Sequence, residues 1–432
     1  MSYWFQDPAL KALLPLALAD SIRGMTTMFK TPTFIMGFNV FPEGMVIGPS
    51  LADFIGAHSP KKRAFVVADE FSERFAAKTA SYFKANGFTT QIWPKALPEV
   101  PLDNVKECGG AMTAFEPDVI IAVGGGSVID GAKAAWILYE RPDITDLGSQ
   151  VSPLALLGLR KKAFLVAVPT TSGTGSECTG ASVLHDTAAH RKVPIANADL
   201  LPDVAILVPD FTVSMPPKLT AGTGLDVLSH AMDAVATPAA NEFTDALSLA
   251  AIKMVFKYLP RAYRNGKDRE ARYRMLIASS AAGIGFGQSG AGIGFGQSGA
   301  ALTHSFGHSI GSMFKVHHGL AVGLFIPYVF QYYKPVSDKY LEICHTLRIE
   351  GASPDESFSN LIKAVRDLFR ELDVPLNLKD MGIPAKEFER QMETLVLYSM
   401  EDIDTVFTPR PMTPAQCEKI LRYAYDGKDI DF

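Results

Sequence analysis

The chain has 432 residues, enough for two domains of ordinary size. Hydrophobic residues make up 47% and charged residues 20%, the balance of a folded globular protein and not of a disordered one. With 41 basic and 46 acidic residues the net charge is −5, so neither nucleic acid nor an anionic membrane is an expected partner.

Cys108, Cys178, Cys344 and Cys417 are too few and too scattered for a disulfide framework or a paired-cysteine zinc site. That points to a reducing, cytoplasmic setting. No run approaches the roughly 18 apolar residues of a membrane span. The apolar stretch from Ala9 to Ala19 is preceded by Asp7, contains Lys11 and is broken by Pro15. It reads as part of an N-terminal extension, residues 1–30, that packs on the body and not as a signal peptide.

The next segment alternates strands with helices. Arg63–Asp69, Thr89–Trp93, Asp118–Val123 and Ala163–Val168 read as strands, and Phe71–Asn86 as an amphipathic helix stopped by Gly87. This alternation predicts a parallel sheet covered by helices. From about Pro216 strand signals nearly vanish. Helical patterns follow over Asn241–Leu259, Arg269–Ala282, Pro354–Leu372 and Pro414–Tyr425, punctuated by Pro238, Pro260, Pro327 and Pro409. We therefore expect an α/β, Rossmann-like dinucleotide-binding domain over 31–212 and an all-α domain over 213–432. A cleft between domains is the natural ligand site.

Residues 282–290 and 291–299 both read AGIGFGQSG, a perfect tandem duplication. Nine residues at about 100° each turn a helix through about half a turn net, so the two copies cannot present the same face in one straight helix. Their glycines each cost a helix interior about 1 kcal/mol relative to Ala. One copy is expected to continue the helix toward His304 and the other to loop out or be poorly ordered.

Two turns suit a phosphate. Gly124 to Lys133, GGGSVIDGAK, leaves one strand and opens a helix, where free N–H groups and the helix dipole attract an anion. Pro169 to Glu177, PTTSGTGSE, leaves the next with a dense set of hydroxyls. Both lie at the carboxyl ends of parallel strands, where open α/β sheets bind nucleotides. Asp69 ends the first strand of this set, where a carboxylate accepts ribose hydroxyls and repels a 2′-phosphate, favouring NAD over NADP.

Histidines cluster at 304, 308, 317 and 318. His304 and His308 share a helix face, as do Asp226 and His230 upstream. A carboxylate and an imidazole one turn apart are half of a divalent-metal site. His304 and His318 in one straight helix would be about 21 Å apart, so the chain must turn between them if they share an ion. Gly311 and Gly319 flank such a turn.

These segments, with MPPKLTAGTGLDVLSHAMDA at 215–234, ALTHSFGHSIGSMFKVHHG at 301–319 and TPRPMT at 408–413, resemble the iron-containing (group III) alcohol dehydrogenases over roughly residues 31 to 432. The resemblance implies a dehydroquinate synthase-like architecture and reversible hydride transfer between NAD and a primary alcohol, diol or hydroxy acid. It implies metal ligation by Asp226, His230, His304 and His318, and proton transfer by His308. Cofactor contacts carry over to Asp69, Gly125, Gly126, Ser127, Asp130, Thr170, Thr171, Thr174 and Lys192. It also implies a small alcohol or aldehyde as substrate and a homodimer or larger assembly. The family name points to Fe(II), whereas one carboxylate and three imidazoles suit Zn(II) as well.

The chain departs from the family pattern in three places. His317 stands where a proline is usual, Asp233 where a glutamate is usual, and Pro98-Glu99-Val100 in place of a Pro-Asn-Pro-like loop. The rival readings are a glycerol dehydrogenase or maleylacetate reductase type of oxidoreductase, a metal- and NAD-dependent cyclase, and a non-catalytic binding protein on the same scaffold.

Overall fold

The computed structural model describes residues 3–7, 29–42, 49–153, 155–187, 191–288 and 301–432. They fall into two compact units, residues 3–7 with 29–214, and residues 215–288 with 301–432.

The first unit is built on six parallel strands: β1 (Thr33–Met36), β2 (Arg63–Val67), β3 (Thr89–Trp93), β4 (Val119–Gly124), β5 (Phe164–Pro169) and β8 (Val204–Leu207). Their order is β1-β8-β5-β4-β2-β3. Every residue of β4 is buried, which explains its uninterrupted apolar run. Successive side chains leave on opposite faces. Phe65, Val67, Ile120, Ala122, Leu165 and Ala167 pack with α3 (Leu102–Phe115) and α4 (Gly126–Glu140). Ala64, Val66, Ile121, Val123, Val166 and Ile206 pack with α1 (Leu51–Gly56) and α2 (Glu73–Ala85).

The four strands read from sequence are thus present, extended on the β5 side by β8 and β1, two four-residue strands that carry little pattern. A separate antiparallel hairpin joins β6 (Ala181–Asp186) to β7 (Arg191–Ala196). The N-terminal residues dock on it, with Tyr3 donating to Asp186 at 3.0 Å and the Trp4 indole to the Pro194 carbonyl at 2.8 Å. The apolar stretch 9–19 lies outside the described residues.

The second unit is helical, with no strand among its described residues. Its central helix α5 (Pro217–Ala236) is buried without a break from Thr220 to Ala236. Around it lie α6 (Glu242–Arg264), α7 (Arg269–Gln288), α8 (Leu302–Phe314), α9 (His318–Leu324), α10 (Ile326–Tyr333), α11 (Tyr340–Leu347), α12 (Pro354–Glu371), α13 (Ala385–Arg390), α14 (Met392–Glu401) and α15 (Pro414–Asp426). Pro260 does not end its helix: α6 runs on to Arg264, because Leu259 and Ala262 on either side are buried in the core and their packing outweighs the lost bond. The first copy of the duplication continues α7 as far as Gln288. The second copy lies outside the described residues.

Candidate active site

In the second unit two glycines bring three helices together. A Cβ on Gly319 would lie 2.1 Å from the Gly222 carbonyl oxygen, and one on Gly307 would lie 2.3 Å from a Val322 methyl. Only glycine lets α9 approach α5 and α8 this closely. The reversal between α8 and α9 is made by Lys315 in the left-handed region, φ 55°, and not by the flanking glycines. Gly311 sits inside α8 and Gly319 inside α9.

This packing gathers side chains from stretches far apart in the chain. Asp226 Oδ1 lies 3.4 Å from His318 Nε2, 3.7 Å from His304 Nε2 and 3.8 Å from His230 Nδ1. Ligand atoms of Asp226, His304 and His318 all fall within 4.8 Å of one another. His230 stands just outside that group, its ring stacked on His304 at 4.4 Å and on Phe286 at 4.1 Å. His318, not His317, joins the cluster, while His317 caps the start of α9.

Asp226 Oδ1, His230 Nδ1 and His304 Nε2 are buried and have no hydrogen-bond partner among the described residues. Buried polar atoms left unpaired beside one another are costly unless something binds them. One carboxylate and three imidazoles with this convergence fit a divalent cation.

Burial opposes the charge of Asp226, but His230 and His318 more than offset it and hold the carboxyl well below its usual range. Burial pushes His230 down to about 3, so it stays a neutral donor. For His304 burial is outweighed by Asp226 and Asp233, which raise it to about 10. Asp233 accepts from the Ala301 N–H at 2.8 Å and from the Thr303 hydroxyl, and stands 3.7 Å from His304 Nδ1. It therefore anchors the first turn of α8 beside the histidine that turn carries.

His308, one turn beyond His304, packs its ring against His318 at 5.3 Å, and its Nδ1 lies 2.9 Å from Asp402. Sequence reading passed over Asp402 and Asp404, which have no periodic relation to the histidines.

The first unit carries the glycine turn. Gly125 is extended and α4 starts at Gly126, with no side chain capping the helix. A Cβ on Gly126 would meet Thr174 at 2.6 Å, and Thr171 lies 3.4 Å from where a Cβ on Gly125 would sit. The two loops are thus adjacent, with Thr170 N–H bonded to Gly124 at 2.9 Å. Ser127 lies in the first turn of α4.

Asp130 is spent inside the protein, accepting from the Ser176 hydroxyl and from the Val183 N–H at 2.9 Å. Lys133, one turn on and fully buried, donates to the carbonyls of Ser176, Thr179 and Ala181 at 2.7–2.8 Å. Burial lowers this ammonium to about 8. Together they fasten the 176–181 loop to α4. Sequence reading missed Lys133, although its place three residues after Asp130 was a signal.

Asp69 follows β2 and accepts from the Ser72 N–H at 2.7 Å, fixing the turn into α2. Lys192 lies 3.7 Å from Glu99, in the loop where Glu99 and Val100 are both left-handed, φ 66° and 55°.

Residues 42–209 match the model of iron-containing alcohol dehydrogenases, and residues 220–425 match the C-terminal domain of the same family. The NADPH-dependent butanol dehydrogenase of Clostridium saccharobutylicum is 34% identical over 375 residues, 86% of this chain and 94% of that one. The iron-containing alcohol dehydrogenase of Thermococcus thioreducens superposes with a TM-score of 0.79 at 29% identity, over 93% of this chain and 100% of that one. A sulfoacetaldehyde reductase from Bifidobacterium kashiwanohense, solved with NAD+, gives 0.77 at 25% identity, over 93% and 99%. The chain belongs to the iron-containing alcohol dehydrogenase family and is a nicotinamide-dependent alcohol oxidoreductase. These relatives favour that reaction over the cyclase and the glycerol- or maleylacetate-type alternatives.

Proposed function

We propose that the chain transfers hydride reversibly between a small primary alcohol and NAD, with the ion held by Asp226, His230, His304 and His318. The observation that supports this is the convergence of ligand atoms of Asp226, His304 and His318 within 4.8 Å of one another, with His230 Nδ1 3.8 Å from Asp226. When bound, a divalent ion supplies Lewis acidity, which lowers the pKa of a hydroxyl and polarises a carbonyl. We take it to be Fe(II) from the family, with Zn(II) chemically acceptable to the same donors.

The chain's own residues do the rest. Gly125, Gly126 and Ser127 at the start of α4, with Thr170, Thr171 and Thr174, offer N–H groups and hydroxyls to the pyrophosphate. Asp69 and Lys192 would meet the ribose and nicotinamide portions. Asp130 contributes by holding the loop in place. His308 accepts the proton released as alcohol becomes aldehyde. Both NAD and NADPH occur among the relatives' names, and Asp69 supports NAD here. The same reading gives an α/β cofactor domain over 31–212, a helical metal domain over 213–432, an N-terminal extension over 1–30, a homo-oligomer and a cytoplasmic enzyme.

The test is metal analysis of protein purified without air, followed by NAD- and NADP-linked assays over alcohols, aldehydes and keto acids. Protein that takes up no divalent ion, or that turns over no alcohol or carbonyl compound when loaded, overturns the proposal. Zinc alone with full activity overturns only the choice of iron.

A further inference from the structure

We infer that Asp402 is a positioning residue for His308, holding its imidazole in the tautomer whose Nε2 receives the substrate proton. The inference rests on the reading of His308 as the proton acceptor.

Its basis is a built contact. Asp402 Oδ2 lies 2.9 Å from His308 Nδ1, and Asp402 Oδ1 accepts the Asp404 N–H at 2.9 Å. An ionised carboxylate only accepts, so the Nδ1 it faces must carry the hydrogen, and Nε2 is left with the lone pair. Asp402 thus uses both carboxyl oxygens as acceptors, one toward His308 Nδ1 and one toward the Asp404 N–H, as an ionised carboxylate does. Of the two carboxylates near Nδ1, Asp402 at 2.9 Å is within hydrogen-bond reach and Asp404 at 3.8 Å is not.

The backbone carrying Asp402 is tied to the helix carrying His308. Thr405, in the 3-10 turn Ile403–Phe407 that Asp402 caps, donates its hydroxyl to the Ser399 carbonyl at 2.6 Å and shares a 2.8 Å hydroxyl contact with Ser305. Ser399 in turn shares a 2.7 Å hydroxyl contact with Ser309 of α8. Ser305 and Ser309 flank His308 on α8, so the hydroxyl ladder fixes the distance between the carboxylate and the imidazole.

The chemistry balances. An alcohol and NAD+ give an aldehyde, NADH and one proton. The hydride leaves the carbinol carbon for the nicotinamide, and the hydroxyl proton goes to His308 Nε2 while the Nδ1 hydrogen stays on its bond to Asp402. Without that bond the imidazole populates the other tautomer, whose Nε2 already holds a hydrogen and cannot accept.

The experiment uses metal-loaded enzyme and four variants: Asp402→Asn, Asp402→Glu, His308→Ala and the Asp402→Asn/His308→Ala pair. Asp402→Asn should lower kcat about 10- to 100-fold with KM for the alcohol changed less than about threefold. Metal content and cofactor affinity should be unchanged, and Asp402→Glu should recover part of kcat. In the His308→Ala background Asp402→Asn should cost nothing further. An unchanged kcat in Asp402→Asn, or an equal loss with and without His308, overturns the inference. If Asp402→Asn loses metal or folds poorly, the comparison in the His308→Ala background is made by loaded-enzyme turnover of Asp402→Glu, whose loss there overturns the inference. Unchanged turnover in His308→Ala itself overturns the parent reading instead.

Discussion

The ring of Phe286 lies face to face with the imidazole of His230, centroids 4.1 Å apart and planes 10° from parallel. His230 is buried, with its Nδ1 3.8 Å from Asp226, so the stack is one of the walls that fix the ring's orientation. Phe286 belongs to the first copy of the duplicated nonapeptide, and Phe295 holds the same place in the second. Replacing Phe286 by Ala should weaken metal retention about 10-fold, because a ligand ring released from its support must be re-ordered on binding. Dialysis against graded chelator followed by metal analysis measures this. A Phe286→Ala/Phe295→Ala protein that behaves as the single variant shows that the first copy alone serves the site.

The contact between α9 and α5 leads to a sharper expectation. At Gly319 an added Cβ would sit 2.1 Å from the carbonyl oxygen of Gly222 and 3.1 Å from Asp226 Cβ. The first neighbour is backbone and cannot rotate away, so Gly319→Ala must shift α9 and carry His318 from Asp226. Overpacking of this kind costs about 1–3 kcal/mol. We expect a lowered melting temperature and loss of most bound metal, with NAD affinity within about twofold of the parent. Metal content equal to the parent's would show that the close approach is not what sets His318.

Much of this was legible in the chain. The strands β2, β4 and β5 announced themselves because a strand buried on both faces needs an unbroken apolar run. The i, i+4 pairs Asp226/His230 and His304/His308 were legible because helix geometry alone places them on one face. That the chain must turn between His304 and His318 was legible from their spacing; that Lys315 makes the turn was not, since a lysine in the left-handed region has no compositional mark. Nor were Asp402 and Asp404, brought to His308 by tertiary packing across 94 residues. The short strands β1 and β8 escaped for a different reason: four residues carry too little pattern to separate from loop.

Lys133 separates a scaffold role from a catalytic one. Its ammonium is enclosed by three carbonyls and two hydroxyls of residues 176–181. Lys133→Met keeps the volume but leaves those acceptors unpaired, at a cost of about 1–3 kcal/mol. The loop that holds Thr174 should loosen, raising KM for NAD about 10-fold while metal content is unaffected. Cofactor titration and metal analysis on the same preparation check both halves. Loss of metal together with cofactor affinity would mean that the variant unfolds globally.

Alkaline pH should destabilise the helical unit in part through Tyr328. Its hydroxyl donates to the Leu376 carbonyl at 2.7 Å from a side chain that is 1% exposed. Burial pushes this phenol from 10.0 up to about 12. The folded state thus keeps a proton that the unfolded chain releases first. The stabilisation is complete below about pH 10 and fades as pH rises toward about 12, to a total of about 3 kcal/mol. Urea unfolding at about pH 8 and about pH 11.5 should show a large fall for the parent, to which the buried cysteines also contribute. Tyr328→Phe should be slightly less stable than the parent at the lower pH, from the lost hydrogen bond, and should lose less on going to the higher one. An identical pH dependence in the two proteins would show that this hydroxyl stays protonated, or ionises freely, in both states.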